Sequence, residues 1–348
     1  MKRTLYIAFI AVLSTLASCT KQVIDDAPIV SGTSRSYIFF EPTVADSEGT
    51  KASLLTDSYL PVAEGTAFGV IGYYGETSLF DDIARVYRPS QNGAFQYDNL
   101  AAWQDAETPH DFYAFYPYSL NAAVTAETSP YLAYTQPTAN DGTMIDVLTA
   151  KTSTLKTATG NVPLEFHHRL WALYVQINNA QTEGLNAAGS VTDQPTMKVT
   201  GVKVIVEQFP TTAYIYLDKT QGIDYLKENN QVVLTIEPST YTIPVPADGD
   251  VINKNGSKTY GPLLFLPVAA GVFKYKLEIT YEDSRSMSST HSTELMTSKT
   301  TFEGGKKYTL TINKTNDTFV LGSYFDPDEG DAFQPGDWSD ANVNHEFN

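Results

Sequence analysis

The chain contains one cysteine, Cys19, and only five histidines among its 348 residues. A single cysteine cannot form a disulfide within the chain, and it cannot build a zinc site from several thiolates. Basic residues are also scarce, because 23 Lys and Arg stand against 40 Asp and Glu and give a formal net charge of -17. Such an acidic surface repels phosphate backbones, so the composition argues against nucleic-acid binding.

The sequence also lacks any hydrophobic run that is long enough to cross a bilayer. The apolar run Leu5–Leu16 is shorter than the roughly 20 residues that a membrane helix needs, and it follows the charged pair Lys2 and Arg3. This pattern is typical of a secretory signal peptide, which we place at residues 1–18.

The run ends in Leu16-Ala17-Ser18-Cys19, which looks like a bacterial lipobox with Cys19 as the acylated residue. The alternative is a chance cysteine beside an ordinary cleavage site. Acyl chains on Cys19 would hold the protein on a membrane, since each buried methylene contributes about 0.8 kcal/mol. Residues 19–35 are polar and are predicted to form a tether.

What the sequence does contain is β-structure. Aromatic residues make up 12% of the chain, and aromatic and branched side chains favour pleated, half-buried surfaces. Strands are predicted over Phe68–Tyr74, within Pro109–Ser119 and over Val162–Asn178, where the apolar positions change phase near Leu170. In Val272–Tyr281 the residues Phe273, Tyr275, Leu277 and Ile279 face one way. Short strands without a helical period predict an all-β protein of sandwich type.

Residues 181–195 are rich in Gly, Asn, Ala and Thr and show no periodicity. We therefore predict an N-terminal β-sandwich domain at 36–182, a linker at 183–195 and a C-terminal β-sandwich domain at 196–348.

The segment Tyr37–Glu41 is too apolar for a tether and is predicted to be a buried first strand. Pro42 lacks a backbone donor and is expected to end the pairing. The following residues are polar and lead to Thr50-Lys51-Ala52, where a trypsin-like protease could cut after Lys51. Arg35 is the alternative cleavage site, but a cut there would keep the strand.

Four features together resemble the fimbrillin family of type V pilus subunits. They are the lipobox, the early strand before Lys51, the run His110-Asp-Phe-Tyr-Ala-Phe-Tyr-Pro-Tyr118, and the run Val162-Pro-Leu-Glu-Phe-His-His-Arg-Leu170. The resemblance implies two transthyretin-like (Greek-key) β-sandwiches in tandem and export as a cell outer membrane lipoprotein. It also implies proteolytic removal of the N-terminal strand and polymerisation with other fimbrial subunits by strand exchange. The usual cleavage residue of the family is arginine, whereas this chain has Lys51.

The resemblance leaves the role of stalk, tip or anchor open, and a tip subunit would have a host or glycan ligand. The C-terminal segment Val343–Phe347 is one possible donor strand. The main alternative to exchange is a permanent first strand with Lys51 merely solvated.

Catalytic and metal chemistry have few candidates. His110-Asp111 and Glu165-Phe-His167-His168 offer possible bases or ligands, but adjacent residues of a strand point to opposite faces. We therefore predict that one of His167 and His168 is packed with a partner and the other is solvated. No nucleophile motif, phosphate loop or zinc signature is present, so we predict no enzyme activity, catalytic residue, metal or cofactor.

Two binding alternatives remain at the level of the sequence. The acidic run Asp326–Asp331 has the oxygen ligands that calcium prefers, although a solvated loop is the simpler interpretation. Trp103 and Trp338 could stack on sugars in a surface glycan-binding lipoprotein, although packing is the commoner role of Trp. An acid-dependent hydrolase would require paired carboxylates in a cleft.

Overall fold

The structure is a computed structural model that describes residues 36–44, 52–53, 67–89, 94–120, 122–123, 130–139, 144–186, 188–235, 237–298, 300–321 and 333–337. All of these residues belong to the compact unit Ser36–Asn348. The predicted signal peptide, tether, lipidation site and both predicted cleavage sites lie outside the described residues. Within the described part of the chain, no helix combines the length and the apolar character that crossing a bilayer requires.

The described residues form strands joined by turns, with two short 3-10 helices at Tyr118–Leu120 and Lys219–Gln221. The strands, in chain order, are β1 Phe39–Val44, β2 Ala52–Ser53, β3 Ala67–Tyr74, β4 Thr77–Ser78, β5 Ala84–Tyr87, β6 His110–Tyr116, β7 Ala122–Ala123, β8 Tyr131–Thr135, β9 Leu148–Thr154, β10 Asn161–His168, β11 Trp171–Asn179, β12 Gly184–Leu185, β13 Val191–Thr192, β14 Thr196–Gln208, β15 Thr212–Tyr216, β16 Ile223–Tyr225, β17 Lys227–Glu228, β18 Gln231–Val232, β19 Ser239–Ile243, β20 Asp250–Asn253, β21 Ser257–Phe265, β22 Lys274–Asp283, β23 Ser288–Ser292, β24 Met296–Thr297, β25 Lys306–Lys314, β26 Phe319–Leu321 and β27 Phe333–Asp337.

The first sheet runs in the order β2-β1-β10-β9-β6-β3-β4, with β5 added beside β3. Its core is built by alternate residues of neighbouring strands, such as Phe68 and Val70 of β3, Phe112 of β6 and Leu164 of β10. The strands predicted over Phe68–Tyr74 and within Pro109–Ser119 are confirmed as β3 and β6.

The predicted change of phase near Leu170 is confirmed, but the single strand predicted over Val162–Asn178 is wrong. The predicted run divides into β10 and β11. Val162, Leu164 and Phe166 of β10 lie in the core of the first sheet, whereas Trp171 of β11 lies in a different core. The alternation restarts because the chain leaves one sheet and enters another.

A second core lies between two sheets. The six-stranded sheet has the order β19-β14-β22-β23, with β20 beside β14 and β24 beside β22. The five-stranded sheet has the order β21-β11-β25-β26, with β27 beside β25. The four residues predicted to face inward from Val272–Tyr281, which are Phe273, Tyr275, Leu277 and Ile279, are all buried there, so this prediction is confirmed. The sandwich class of the fold is confirmed with it.

A four-stranded sheet, ordered β16-β15-β8-β7, packs over a third core. Strands β8 and β11 precede the predicted linker, yet β8 pairs with β15, and β11 pairs with β21 and β25, all of which follow it. Residues 183–195 themselves contain the small hairpin of β12 and β13. The division into tandem domains at 183–195 stays a prediction.

Candidate functional site

Strand β1 lies near one edge of the first sheet and is held on both sides by the backbone. It runs parallel to β10 from the pair Phe39 and Asn161 to the pair Val44 and Phe166. Its entry is fixed from the other side, where Ile38 N donates to Ala101 O at 3.0 Å and Trp103 N donates to Ser36 O at 3.0 Å. Farther along, the two residues of β2 are the only ones in the described part of the chain that pair with β1 on that side. The strand therefore fills a slot between β10 and the segment 101–103.

The side chains of β1 and the residue before it alternate between the core and the outside. Ile38 is 0% exposed and Phe40 is 5% exposed, whereas Phe39 is 38% exposed. The ring centroid of Phe40 lies 5.5 Å from that of Tyr97, 5.7 Å from that of Phe112 and 6.3 Å from that of Phe80. The predicted burial is confirmed for Ile38 and Phe40, but it is wrong for Phe39, because adjacent residues of a strand point to opposite faces.

Pro42 does not end the pairing, which corrects the prediction of a strand over Tyr37–Glu41. The strand continues to Val44, and Pro42 is in register with Leu164. Phe39 N donates to Gly160 O at 3.0 Å, and in a parallel pair only alternate residues donate to the same neighbour. The nitrogen of Pro42 therefore faces away from β10, and its missing N–H removes no bond of that ladder.

Tyr97 joins the resident strand to the flanking segment with its side chain. Tyr97 Oη donates to Ile38 O at 2.8 Å and accepts from Ala101 N at 3.2 Å. Burial raises the pKa of Tyr97 to about 12, so the hydroxyl keeps its proton and stays a donor. Sequence reasoning missed Tyr97, since it lies in a short segment without periodicity.

The buried side chains of His110 and Trp103 pack against each other beside the segment 101–103. His110 is fully buried; its Nδ1 lies 3.0 Å from Thr108 O, and Gln104 N donates to its Nε2 at 3.2 Å. The Trp103 ring lies edge-on to His110, with 4.8 Å between centroids, and Trp103 is 7% exposed. Both ring nitrogens of His110 are thus engaged by the backbone, and Trp103 has a packing role that leaves no free face for a sugar.

Asp105 organises the turn that follows. Its carboxylate accepts from Tyr74 Oη at 2.5 Å, from Thr108 N at 2.7 Å and from Glu107 N at 3.0 Å. These bonds favour the charged form, and the bond from Tyr74 contributes most, so the pKa of Asp105 is lowered to about 2.

The adjacent histidines at the end of β10 contact different partners. His168 has a side chain that is 6% exposed, and its Nδ1 lies 2.5 Å from Asp146 Oδ2. Lys219 Nζ lies 2.9 Å from His167 Nε2, and burial, followed by the charge of Lys219, lowers the pKa of His167. The packed, partnered histidine that we predicted is His168, whereas His167 is partly exposed.

Arg169 is a second residue that sequence reasoning missed. It is buried where β10 ends, and its guanidinium donates to Thr149 Oγ1 at 3.0 Å, Tyr216 O at 3.0 Å and Gly222 O at 2.6 Å. Burial lowers its pKa to about 10. Arg169 therefore ties the first sheet to the β15 region, and the break of phase at Leu170 was the signal nearest to it.

Among the described residues, no three His, Cys, Asp or Glu side chains come together as metal ligands. The acidic run Asp326–Asp331, Trp338, His345 and the segment Val343–Phe347 lie outside the described residues, as do Cys19, Arg35 and Lys51. Within the described residues, the slot occupied by β1 is the candidate site that the following proposal uses.

Comparison with known proteins agrees with this architecture. A family model described as fimbrillin-like matches residues 50–324. A fimbrial protein from Bacteroides vulgatus ATCC 8482 superposes with a TM-score of 0.59 and 14% identity, over 87% of this chain and 99% of that chain. A protein from Bacteroides ovatus ATCC 8483 described as a cell adhesion protein superposes with a TM-score of 0.50 and 15% identity, over 88% and 99%. At such identities the likeness shows the fold. No curated protein matches the chain in sequence.

Proposed function

Because the chain belongs to the fimbrillin-like family, we propose that it is a structural subunit of a cell-surface fimbria, delivered as a lipoprotein and assembled by exchange of strand β1. The observation that carries the proposal is the position of β1. Phe40 of the strand and Ile38 just before it are buried in a core, yet the strand lies near the sheet edge, and among the described residues only two-residue β2 pairs with Thr43 and Val44.

Loss of β1 would expose one long edge of β10 and the pockets of two large side chains. Each such side chain contributes roughly 1.5 to 3 kcal/mol when it is buried, so an empty slot is unfavourable. An extended segment of a neighbouring subunit can fill it by β-augmentation, which pairs backbone with backbone and places alternate side chains in pockets. Cleavage after Lys51 would remove the strand and leave Ala52 as the new N-terminus.

The decisive measurement is N-terminal sequencing of the assembled polymer at the cell surface. We expect the chains to start at Ala52, and Lys51→Ala should leave them uncut and unassembled. A polymer in which every chain retains Tyr37–Glu41 would contradict exchange, and so would a start after Arg35.

Delivery is tested separately with Cys19. Cys19→Ala should release the protein from the membrane fraction, since the acyl chains are its proposed anchor, whereas Thr20→Ala should remain membrane-bound. Unchanged mass and retention of the Cys19→Ala protein would rule out lipidation.

One observation favours a second role. The entry of β1 is bonded to Ala101 and to Gly160, as expected for a strand that stays in place in an anchor or cap subunit. In that case Lys51 would remain uncut in the assembled fibre, and the same sequencing experiment separates the two roles.

A further inference from the structure

We infer that Tyr97 and Gly160, which we call the register clamp, fix the register of whichever strand occupies the β1 slot. The incoming strand of a neighbouring fimbrial subunit must then place an apolar residue at the site of Ile38 and an aromatic residue at the site of Phe40. The inference rests on the proposed function, because it describes the partner of the same slot.

Tyr97 contacts the backbone of the occupant and not its side chain. Its hydroxyl donates to the carbonyl of Ile38 at 2.8 Å while it holds Ala101 N at 3.2 Å. Successive carbonyls of a strand point to opposite sides, so a slip by one residue turns the acceptor away from Tyr97 and moves every side chain to the other face. The hydroxyl therefore disfavours any shift of the occupant strand by an odd number of residues, whatever the sequence of that strand.

Gly160 forms the opposite side of the clamp. It has φ +76°, and a Cβ placed on it would lie 2.6 Å from Tyr37 O. Only glycine allows this approach without strain, and the approach brings Gly160 O within 3.0 Å of Phe39 N. The occupant is thus gripped at successive residues, 37, 38 and 39, from two sides.

If the occupant strand slipped by two residues, a carbonyl would again point at Tyr97. The pockets for the side chains oppose this shift. The Phe40 ring is surrounded by the rings of Phe80, Tyr97 and Phe112, whereas Phe39 points outward. A shifted strand would leave this aromatic pocket with the wrong side chain. Tyr97 contributes to both requirements, because its hydroxyl contacts the carbonyl of residue 38 and its ring contacts the side chain of residue 40.

The test uses the full chain with Cys19→Ser and Asn161→Cys, and with a thrombin recognition sequence placed between β1 and Lys51. After the cut, an excess of a synthetic peptide of residues 36–44 competes with the resident strand. Peptides with cysteine at position 38, 39 or 40 report the register by disulfide formation, because Phe39 is the residue paired with Asn161 and a shift by one residue brings position 38 or 40 to it. We expect crosslinking from position 39 alone.

Tyr97→Phe should weaken peptide binding by about tenfold and spread the crosslinks to positions 38 and 40, because it removes the hydroxyl that opposes a shift by one residue. Gly160→Ala should weaken binding at least as much. Tyr87→Phe, in the same sheet, is the matched control and should keep the single crosslink. In the peptide, Phe40→Ala should weaken binding by about 100-fold or more, whereas Phe39→Ala should change it by less than about fivefold.

Crosslinking from position 39 alone in both the parent and the Tyr97→Phe protein would overturn the inference, as would equal crosslinking from all three positions in the parent. The result is separable from the proposed function. If the cut protein binds the peptide in a single Tyr97-dependent register but surface polymers retain Tyr37–Glu41, exchange fails as the assembly mechanism and the clamp stands.

Discussion

The strand pair β14 and β22 differs from the strand pair β1 and β10 in its direction and in how neighbouring strands enclose it. In the antiparallel pair, Val202, Val204 and Val206 oppose Ile279, Leu277 and Tyr275, all in one core. On the other face Lys203 Nζ lies 2.9 Å from Glu278 Oε1. Strand β14 is also paired along its second edge by β19 and β20.

The pair of β1 and β10 is parallel, extends over six residue pairs and includes Pro42. Its outer side is flanked by the segment 101–103 and by two-residue β2. β14 is paired along both edges, so we expect it to leave only if its sheet unfolds. Among the described residues the outer edge of β1 is paired more sparsely, so under the proposed exchange β1 is the strand that another strand would replace. Three predictions test this contrast.

The largest effect is expected at Leu277. Leu277→Ala should lower the free energy of unfolding by about 2 to 5 kcal/mol, because the cavity opens in a fully enclosed core. Urea denaturation followed by tryptophan fluorescence measures it. Lys276→Ala is the control, because Lys276 faces solvent and its Nζ lies 3.4 Å from Glu207 Oε1. Loss of this ion pair should lower the free energy of unfolding by less than about 1 kcal/mol. A Leu277→Ala protein as stable as the parent would contradict the assigned core.

A smaller and more local effect is expected at Ile38. Ile38→Ala should cost about 2 kcal/mol, near the low end for such a change, since a sheet edge can relax around the cavity. Hydrogen exchange should accelerate at the amides of Phe39–Glu41, Thr43 and Val44 and stay unchanged in β14 and β22. Phe39→Ala, on the exposed face of the same strand, should leave both regions unchanged. Equal acceleration in β14 would show that the two regions unfold together and would remove the contrast.

The smallest effect concerns acid stability of the turn beside the slot. The pKa of Asp105 is about 2 in the folded protein and 3.8 ordinarily. Its stabilising contribution is therefore complete above pH 3.8 and is lost as the pH falls through about 2. Tyr74→Phe removes the main cause, so NMR titration of the Asp105 carboxyl should give a higher pKa. Tyr73→Phe is the control, and an unchanged pKa in the Tyr74→Phe protein would assign the shift to the backbone donors instead.

Local patterns in the sequence were enough to place several strands and their inward faces. The alternation in Val272–Tyr281 assigned Phe273, Tyr275, Leu277 and Ile279 to a core, and these side chains are buried there. Alternation predicts such strands because successive side chains point in turn to the buried face and to the solvent-exposed face of the sheet. The same rule, applied to Tyr37–Phe40, would have left Phe39 outside, and the prediction failed where it relied on apolar composition alone.

The sequence by itself determined the all-β class, the positions of several strands and the break near Leu170. Tertiary structure alone decided that β1 lies parallel to β10, that β11 joins β21 and β25, and that Tyr97, Gly160 and Arg169 contact residues far along the chain. The physical reason is that alternation and turn residues are local properties, whereas the choice of a strand's neighbour depends on which exposed edges and cores the rest of the chain leaves to be filled.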